Sequence, residues 1–154
     1  MEKAQMHSIR TDVEKIVKAT AEPDAKLMKI CQLLKETVDH YDWVGFYLVD
    51  TAQQGELVLG PFVGAPTEHQ RIRFGQGICG QAAETEETFI IQDVAQETNY
   101  LSCSPNVKSE IVVPVFKEGV LVGELDIDSH MLAPFNNAER VFLEEICALV
   151  AQIL

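Results

Sequence analysis

The chain is poor in positive charge: 12 Lys and Arg stand against 24 Asp and Glu, a formal net charge of -12 over 154 residues. Such a surface repels phosphate backbones, so neither nucleic acid nor an anionic membrane is an expected partner. No apolar run reaches the roughly 18 residues of a bilayer span. No basic stretch followed by an apolar one opens the sequence, and the expected location is cytoplasmic. Cys31, Cys79, Cys103 and Cys147 include no CxxC pair, and their spacings fit no zinc pattern. No zinc site is expected from these spacings, no metal or organic cofactor is expected to be required, and in a reducing compartment the four cysteines rest as thiols. Repeats, low-complexity tracts and linkers are also lacking. The expectation is one domain over residues 1–154, with N-terminal helices in 1–39, a sheet and loop in 40–135 and a C-terminal helix in 136–154.

What is present is a change of hydrophobic period. Residues 6–20 and 24–39 read as helices; in the second, Leu27, Ile30, Cys31 and Leu34 form one apolar stripe, which turns Cys31 into a core. Strands are expected at 43–49, 56–59, 71–74, 88–91, 109–115 and 120–127, with a short helix near 78–84 and a long polar loop over 92–108. Asn136 or Asn137 caps a last helix reaching Gln152, with Phe142, Ile146, Leu149 and Val150 inward and Leu143 and Cys147 at the shoulder. The class is α+β: a mostly antiparallel sheet, terminal helices on one face, and the other face free for a ligand under the loop.

Two cysteines stand apart. Cys79, in Gly77-Ile78-Cys79-Gly80, opens a short helix whose free N–H groups and dipole favour a thiolate; it also fits a small buried residue at a tight turn. Cys103, in a polar loop, is poorly explained by packing, although a surface cysteine needs no purpose. Glu124, Asp126 and Asp128 alternate along one strand and share a face. A hairpin turning at Lys117-Glu118-Gly119 pairs positions summing to about 236, which sets Glu110 opposite about residue 126. Converging carboxylates repel and raise at least one pKa, so the group can hold an ammonium or keep a proton to donate. The alternative is a strand end entering solvent. Trp43 and Tyr47, four apart on a strand, form either a pocket wall for a thioether or part of a core.

Trp43-Val44-Gly45-Phe46-Tyr47, Leu59-Gly60-Pro61-Phe62, Gly75-Gln76-Gly77-Ile78-Cys79-Gly80, Cys103 before Ser109-Glu110-Ile111-Val112-Val113-Pro114, and Leu125-Asp126-Ile127-Asp128-Ser129 occur in an order that resembles free methionine-(R)-sulfoxide reductases. The resemblance implies a GAF fold and reduction of free L-methionine (R)-S-oxide to L-methionine. It implies Cys103 as nucleophile, Glu110, Asp126 and Asp128 as the acids that hold substrate, and Trp43 and Tyr47 as its aromatic wall. The family's further cysteine is replaced here by His69, which leaves Cys79 as the candidate to resolve a sulfenic acid on Cys103. Thioredoxin or a small thiol is the expected reductant. The competing expectation is a non-catalytic GAF sensor that binds a small ligand. A homodimer through terminal helices is compatible with both.

Overall fold

The computed structural model describes residues 1–102 and 104–154. Helices α1 (Lys3–Lys18) and α2 (Pro23–Thr37) precede strands β1 (Trp43–Val49), β2 (Glu56–Val63) and β3 (Arg71–Arg73); then come α3 (Gly77–Thr85), β4 (Phe89–Ile91), β5 (Ser109–Lys117), β6 (Val120–Ser129) and α4 (Asn137–Val150). The six strands form one antiparallel sheet in the order β3-β2-β1-β6-β5-β4. The α+β expectation holds. Both N-terminal helices begin earlier than the apolar period suggests, because a buried stripe reports only the turns that touch the core. Met6 is the first buried residue of α1, one turn into the helix, and Pro23 starts α2, where its missing N–H costs nothing.

β2 runs four residues past its expected end at Leu59. Gly60 and Pro61 look like breakers, yet they sit where the β1–β2 register shifts between Gly45 and Tyr47. A bulge asks for no ladder hydrogen bond from the residue that lacks an N–H. The continuation carries Phe62 opposite Gly45.

The sheet has two unlike faces. On one, Val44, Phe46, Ile111, Val113, Val115, Leu125 and Ile127 pack under α1, α2 and α4 in the main apolar core. In α4 the buried stripe is Phe142, Leu143, Ile146, Cys147 and Val150; Leu149 is only half-buried, contrary to the expected inward set. Asn136 caps α4 by accepting from the Glu139 N–H at 2.8 Å. The Glu139 carboxylate in turn accepts from Tyr41 Oη at 2.6 Å and bonds His40 Nε2 at 2.7 Å, fixing the approach to β1. Cys31 and Cys147 are core thiols as expected, donating toward Pro61 O and Val113 O. Burial pushes the Cys31 thiol up to about 12 and that of Cys147 higher still. On the opposite face α3 and the following loop cover a second cluster containing Trp43, Tyr47, Ile72, Ile78, Cys79 and Val112. Among the described residues no helix is long and apolar enough to cross a membrane.

Candidate active site

Alternation along β6 sends Leu125 and Ile127 to the helix-covered face and Glu124, Asp126 and Asp128 to the other. β1 and β5 complete that second face. Trp43 pairs with Asp128, Gly45 with Asp126 and Tyr47 with Glu124; Glu110 pairs with Asp128 and Val112 with Asp126. The expected pairing of Glu110 near residue 126 is thus corrected by one pair. The ladder slips between Val115 and Phe116, and the bulge adds a residue the turn position does not reveal. The turn pairs Lys117 with Val120, one position beyond the expected register, and the bulge adds one more; together they move Glu110 by two positions on its partner, which preserves parity, so the carboxylates still converge.

The acids end in the interior, not in solvent. Glu110, Glu124, Asp126 and Asp128 are all buried. Burial, reinforced by the neighbouring Asp126 charge, holds the carboxyls of Glu124 and Asp128 well above the usual carboxylate range. Burial also raises Asp126. Both oxygens of Glu124 and Oδ1 of Asp126 have no hydrogen-bond partner. A buried carboxyl without a partner retains its proton. Burial therefore favours the protonated carboxyls of Glu124, Asp126 and Asp128 on this face.

Cys79 Sγ reaches the same floor from α3, 4.0 Å from Glu110 Oε2. The helix start was expected to favour its thiolate. Instead, burial and the charges of Asp126, Glu110, Glu124 and Asp128 push this thiol well up. The N–H that begins the helix is also taken, because Gly77 N donates to Asn99 Oδ1 at 2.8 Å. One oxygen or sulfur from each of Cys79, Glu110 and Asp126 lies within 4.8 Å of the others, close enough to share a metal ion.

The wall is built of three rings. Trp43 and Tyr47 lie with centroids 6.5 Å apart at 26°, and Phe62 stacks on Trp43 at 5.3 Å and 17°. The Trp43 ring lies across Gly45, where any Cβ would come within 2.4 Å of it. Trp43 Nε1 donates to Ala65 O at 3.0 Å, and Tyr47 Oη to His69 O at 2.8 Å. Phe62 was missed as a site residue because the Gly-Pro step before it reads as the end of a strand.

The segment over 92–108 is not structureless. Val94–Gln96 form a 3-10 turn capped by Asp93. Asn99 clamps the segment to α3: besides accepting from Gly77, its Nδ2 donates to Gly75 O at 2.7 Å, and its carbonyl accepts from Gln81 Nε2 at 2.9 Å. Leu101 packs on Gly77, whose φ of 66° and bare Cα make the contact possible. His69 Nε2 donates to Ser102 O at 2.9 Å. Asn99 gave no signal beyond being polar in a loop. Cys103, the expected nucleophile, lies outside the described residues. Its chain neighbours flank the site: Leu101 lines a small cavity of about 10 Å³ with Tyr47, His69, Cys79, Glu110 and Asp126. Ser104 lines a second cavity, of about 140 Å³, with Trp43, Val107 and Asp128. A larger groove of about 580 Å³ runs past Thr88, Phe116 and Glu144 on the other side of the sheet and holds none of the expected binding residues.

A GAF domain family model matches residues 20–154. GAF domain-containing protein A of Dictyostelium discoideum is 39% identical over 146 residues, 95% of this chain and 90% of that protein. The free methionine-R-sulfoxide reductase of Saccharomyces cerevisiae is 39% identical over 110 residues, 71% of this chain and 61% of that protein. The X-ray structure of free methionine-R-sulfoxide reductase from Neisseria meningitidis in complex with its substrate superposes with a TM-score of 0.91 at 35% identity, covering 99% of this chain and 92% of that one.

Proposed function

The chain belongs to the GAF domain family, and from that premise we propose that it reduces free methionine (R)-sulfoxide to methionine, residues 1–154 acting as one unit. Three things support this reading: relatives that carry the activity in their names, the buried acids, and the aromatic wall beside them. The observation that carries it is the pairing of Trp43, Gly45 and Tyr47 with Asp128, Asp126 and Glu124. It sets an apolar wall against proton-holding carboxyls on one face. A free amino acid with a sulfoxide needs both, since its ammonium seeks carboxylates and its S-methyl group an apolar surface. A protein-bound methionine has no ammonium to offer.

In the reaction the Cys103 thiolate attacks the sulfoxide sulfur. The S–O bond breaks, and oxygen must take up a proton to leave. A protonated member of the Glu110, Asp126 and Asp128 set supplies it. With a second proton the oxygen leaves as water, and Cys103 is then bonded to the methionine sulfur as a sulfonium; water attacks the Cys103 sulfur, the S–S bond breaks, methionine departs, one proton is released, and Cys103 is left as a sulfenic acid. Cys79 is the candidate resolving thiol; attack on that sulfenic acid releases water and requires the two Cα atoms to come within about 4.4–6.8 Å. A dithiol protein of the thioredoxin type, or a small thiol, restores the cysteines by exchange. The clamp of Asn99 and Leu101 on α3 must loosen for this closure, because Cys79 sits beneath it. The His69 ring holds the carbonyl of the residue before Cys103, and we assign it a positioning role there in place of the family's further thiol.

The test is thiol-coupled turnover of each epimer of free methionine sulfoxide, with trapping and mass spectrometry of a sulfenic acid on Cys103. The expected result is consumption of the R epimer and an adduct on Cys103. Cys103→Ser is expected to bind substrate without turnover, and Cys79→Ser to complete one turnover and recycle slowly. Multiple turnovers by Cys103→Ser would remove that residue from its role. Tight binding of methionine sulfoxide with no product would replace the reductase with a sensor.

A further inference from the structure

We propose that the floor of the acid cup binds one thiophilic divalent cation, Zn²⁺ by its donor chemistry, through Cys79 Sγ, Glu110 and Asp126. The three donor atoms lie within 4.8 Å of one another, and they come from α3, β5 and β6. Spacing rules for zinc look for ligands close in sequence, so they pass over a set at positions 79, 110 and 126.

Two features beyond the acid cluster point to a cation. Asp126 is 3% exposed, and its Oδ1 faces the interior with no hydrogen-bond partner. Glu124, fully buried on the same strand face, has both carboxylate oxygens unpartnered. The cavity above them is lined by no Lys or Arg among the described residues. Cys79, Glu110 and Asp126 line that cavity together, with His69 as the one basic side chain among its described lining residues.

The donor set selects the metal. One sulfur and two carboxylates, with a fourth position left to water, is a three-ligand open site of the kind zinc occupies. Mg²⁺ and Ca²⁺ take six or more oxygens and gain little from a thiol. Binding forms a metal–sulfur bond and two metal–oxygen bonds, and it releases to solvent the Cys79 proton and any proton its carboxylate ligands carry. Glu124 and Asp128 contribute charge rather than bonds. Where the reductase reading holds, the cation occupies the place of the substrate ammonium and competes with it. The binding itself does not depend on that reading.

The experiment uses the whole chain, reduced and stripped of metal with a chelator. Co²⁺ is titrated as a spectroscopic substitute and then displaced with Zn²⁺. The expected result is one equivalent bound with a sulfur-to-cobalt charge-transfer band in the near ultraviolet. Cys79→Ser loses the band, Cys103→Ser keeps it, and Asp126→Asn binds about tenfold more weakly or worse. Absence of the band overturns the proposal. So does a band that survives Cys79→Ser and vanishes in Cys103→Ser, which would hand the metal to the other thiol. Should circular dichroism show Cys79→Ser unfolded, Asp126→Asn decides alone, and undiminished affinity there overturns the site. Cobalt absorption needs no turnover, so this outcome is separable from the failure of the reductase reading.

Discussion

The two faces of the central strands are equally dry and chemically opposite. Leu125 and Ile127 point into the helices, while Glu124, Asp126 and Asp128, interleaved with them on β6, point beneath α3. Burial on the first face returns free energy in proportion to apolar area. Burial on the second costs it, because carboxyls lose water and those of Glu124 gain no partner. The same ladder of backbone hydrogen bonds carries both. One face therefore holds the fold together strongly enough for the other to keep acids where water cannot screen them. The proposed site lies on the face where burial is the less favourable, although Trp43, Tyr47, Ile72, Ile78 and Val112 give that face an apolar cluster of its own.

The sharpest way to break this comparison is to exchange substitutions between adjacent residues. Asp126→Asn keeps the volume and removes the charge and the labile proton. It is expected to lower kcat/KM by about 10²–10⁴-fold, the range of a positioned acid or base, while the urea midpoint stays or rises. Leu125→Ala, one residue earlier on the opposite face, is expected to cost about 2–5 kcal/mol of stability, with activity per folded molecule retained. Paired urea melts and turnover assays on these two variants check the division directly. If Asp126→Asn melts early and turns over normally, the faces have been assigned the wrong way round.

Gly45→Ala probes the wall between them. Its added Cβ would stand 2.4 Å from the Trp43 ring and 2.7 Å from Phe62 Cβ. Overpacking of that kind costs about 1–3 kcal/mol. The shift of Trp43 is expected to raise KM more than it lowers kcat, because in the proposed reading the ring faces the substrate's S-methyl group. An unchanged KM would show that the ring has no share in binding.

The order of elements was readable because periods of 3.6 and 2 survive in single sequences. The convergence of Glu110 with Asp126 and Asp128 was readable from the hairpin turn and strand parity, and parity tolerated the two-position offset. What could not be read depends on contacts across the chain. Gly60-Pro61 ends a strand by local rule and continues one by bulge. Asn99 acquires its clamp only once α3 presents Gly75, Gly77 and Gln81 to it. The helix start at Cys79 favours a thiolate when seen alone, and burial, reinforced by four acids on β5 and β6, reverses that preference. Parity placed Glu124 on the acid face, but its lack of any partner is a property of the packed interior.

Glu124 gives the finest probe, since it is the acid whose burial is least compensated. Its carboxyl is held well above the usual range by desolvation and by Asp126, so the folded state keeps a proton that the unfolded chain releases near pH 4.3, roughly the free glutamate value. Below that pH both states are protonated, and the group's full contribution to stability is present. Above it the folded state binds more protons than the unfolded one, and stability falls by about 1.4 kcal/mol per pH unit until the folded carboxyl ionises. Asp126 and Asp128, raised in the same direction, add slopes of the same sign. The titratable groups that act on Glu124 are Asp126 on its own strand, Cys79 on α3 and Cys147 on α4, while Tyr47 on β1 and Pro114 on β5 stand opposite it in the sheet. None brings the positive charge that would cancel the effect. Glu124→Gln cannot ionise, so its stability should match the parent at about pH 4 and exceed it increasingly as the pH rises toward about 7, read as the gap between urea midpoints. Parallel midpoint curves would mean that Glu124 is ionised in the fold, and that the acid face is compensated by charge the two-face comparison does not contain.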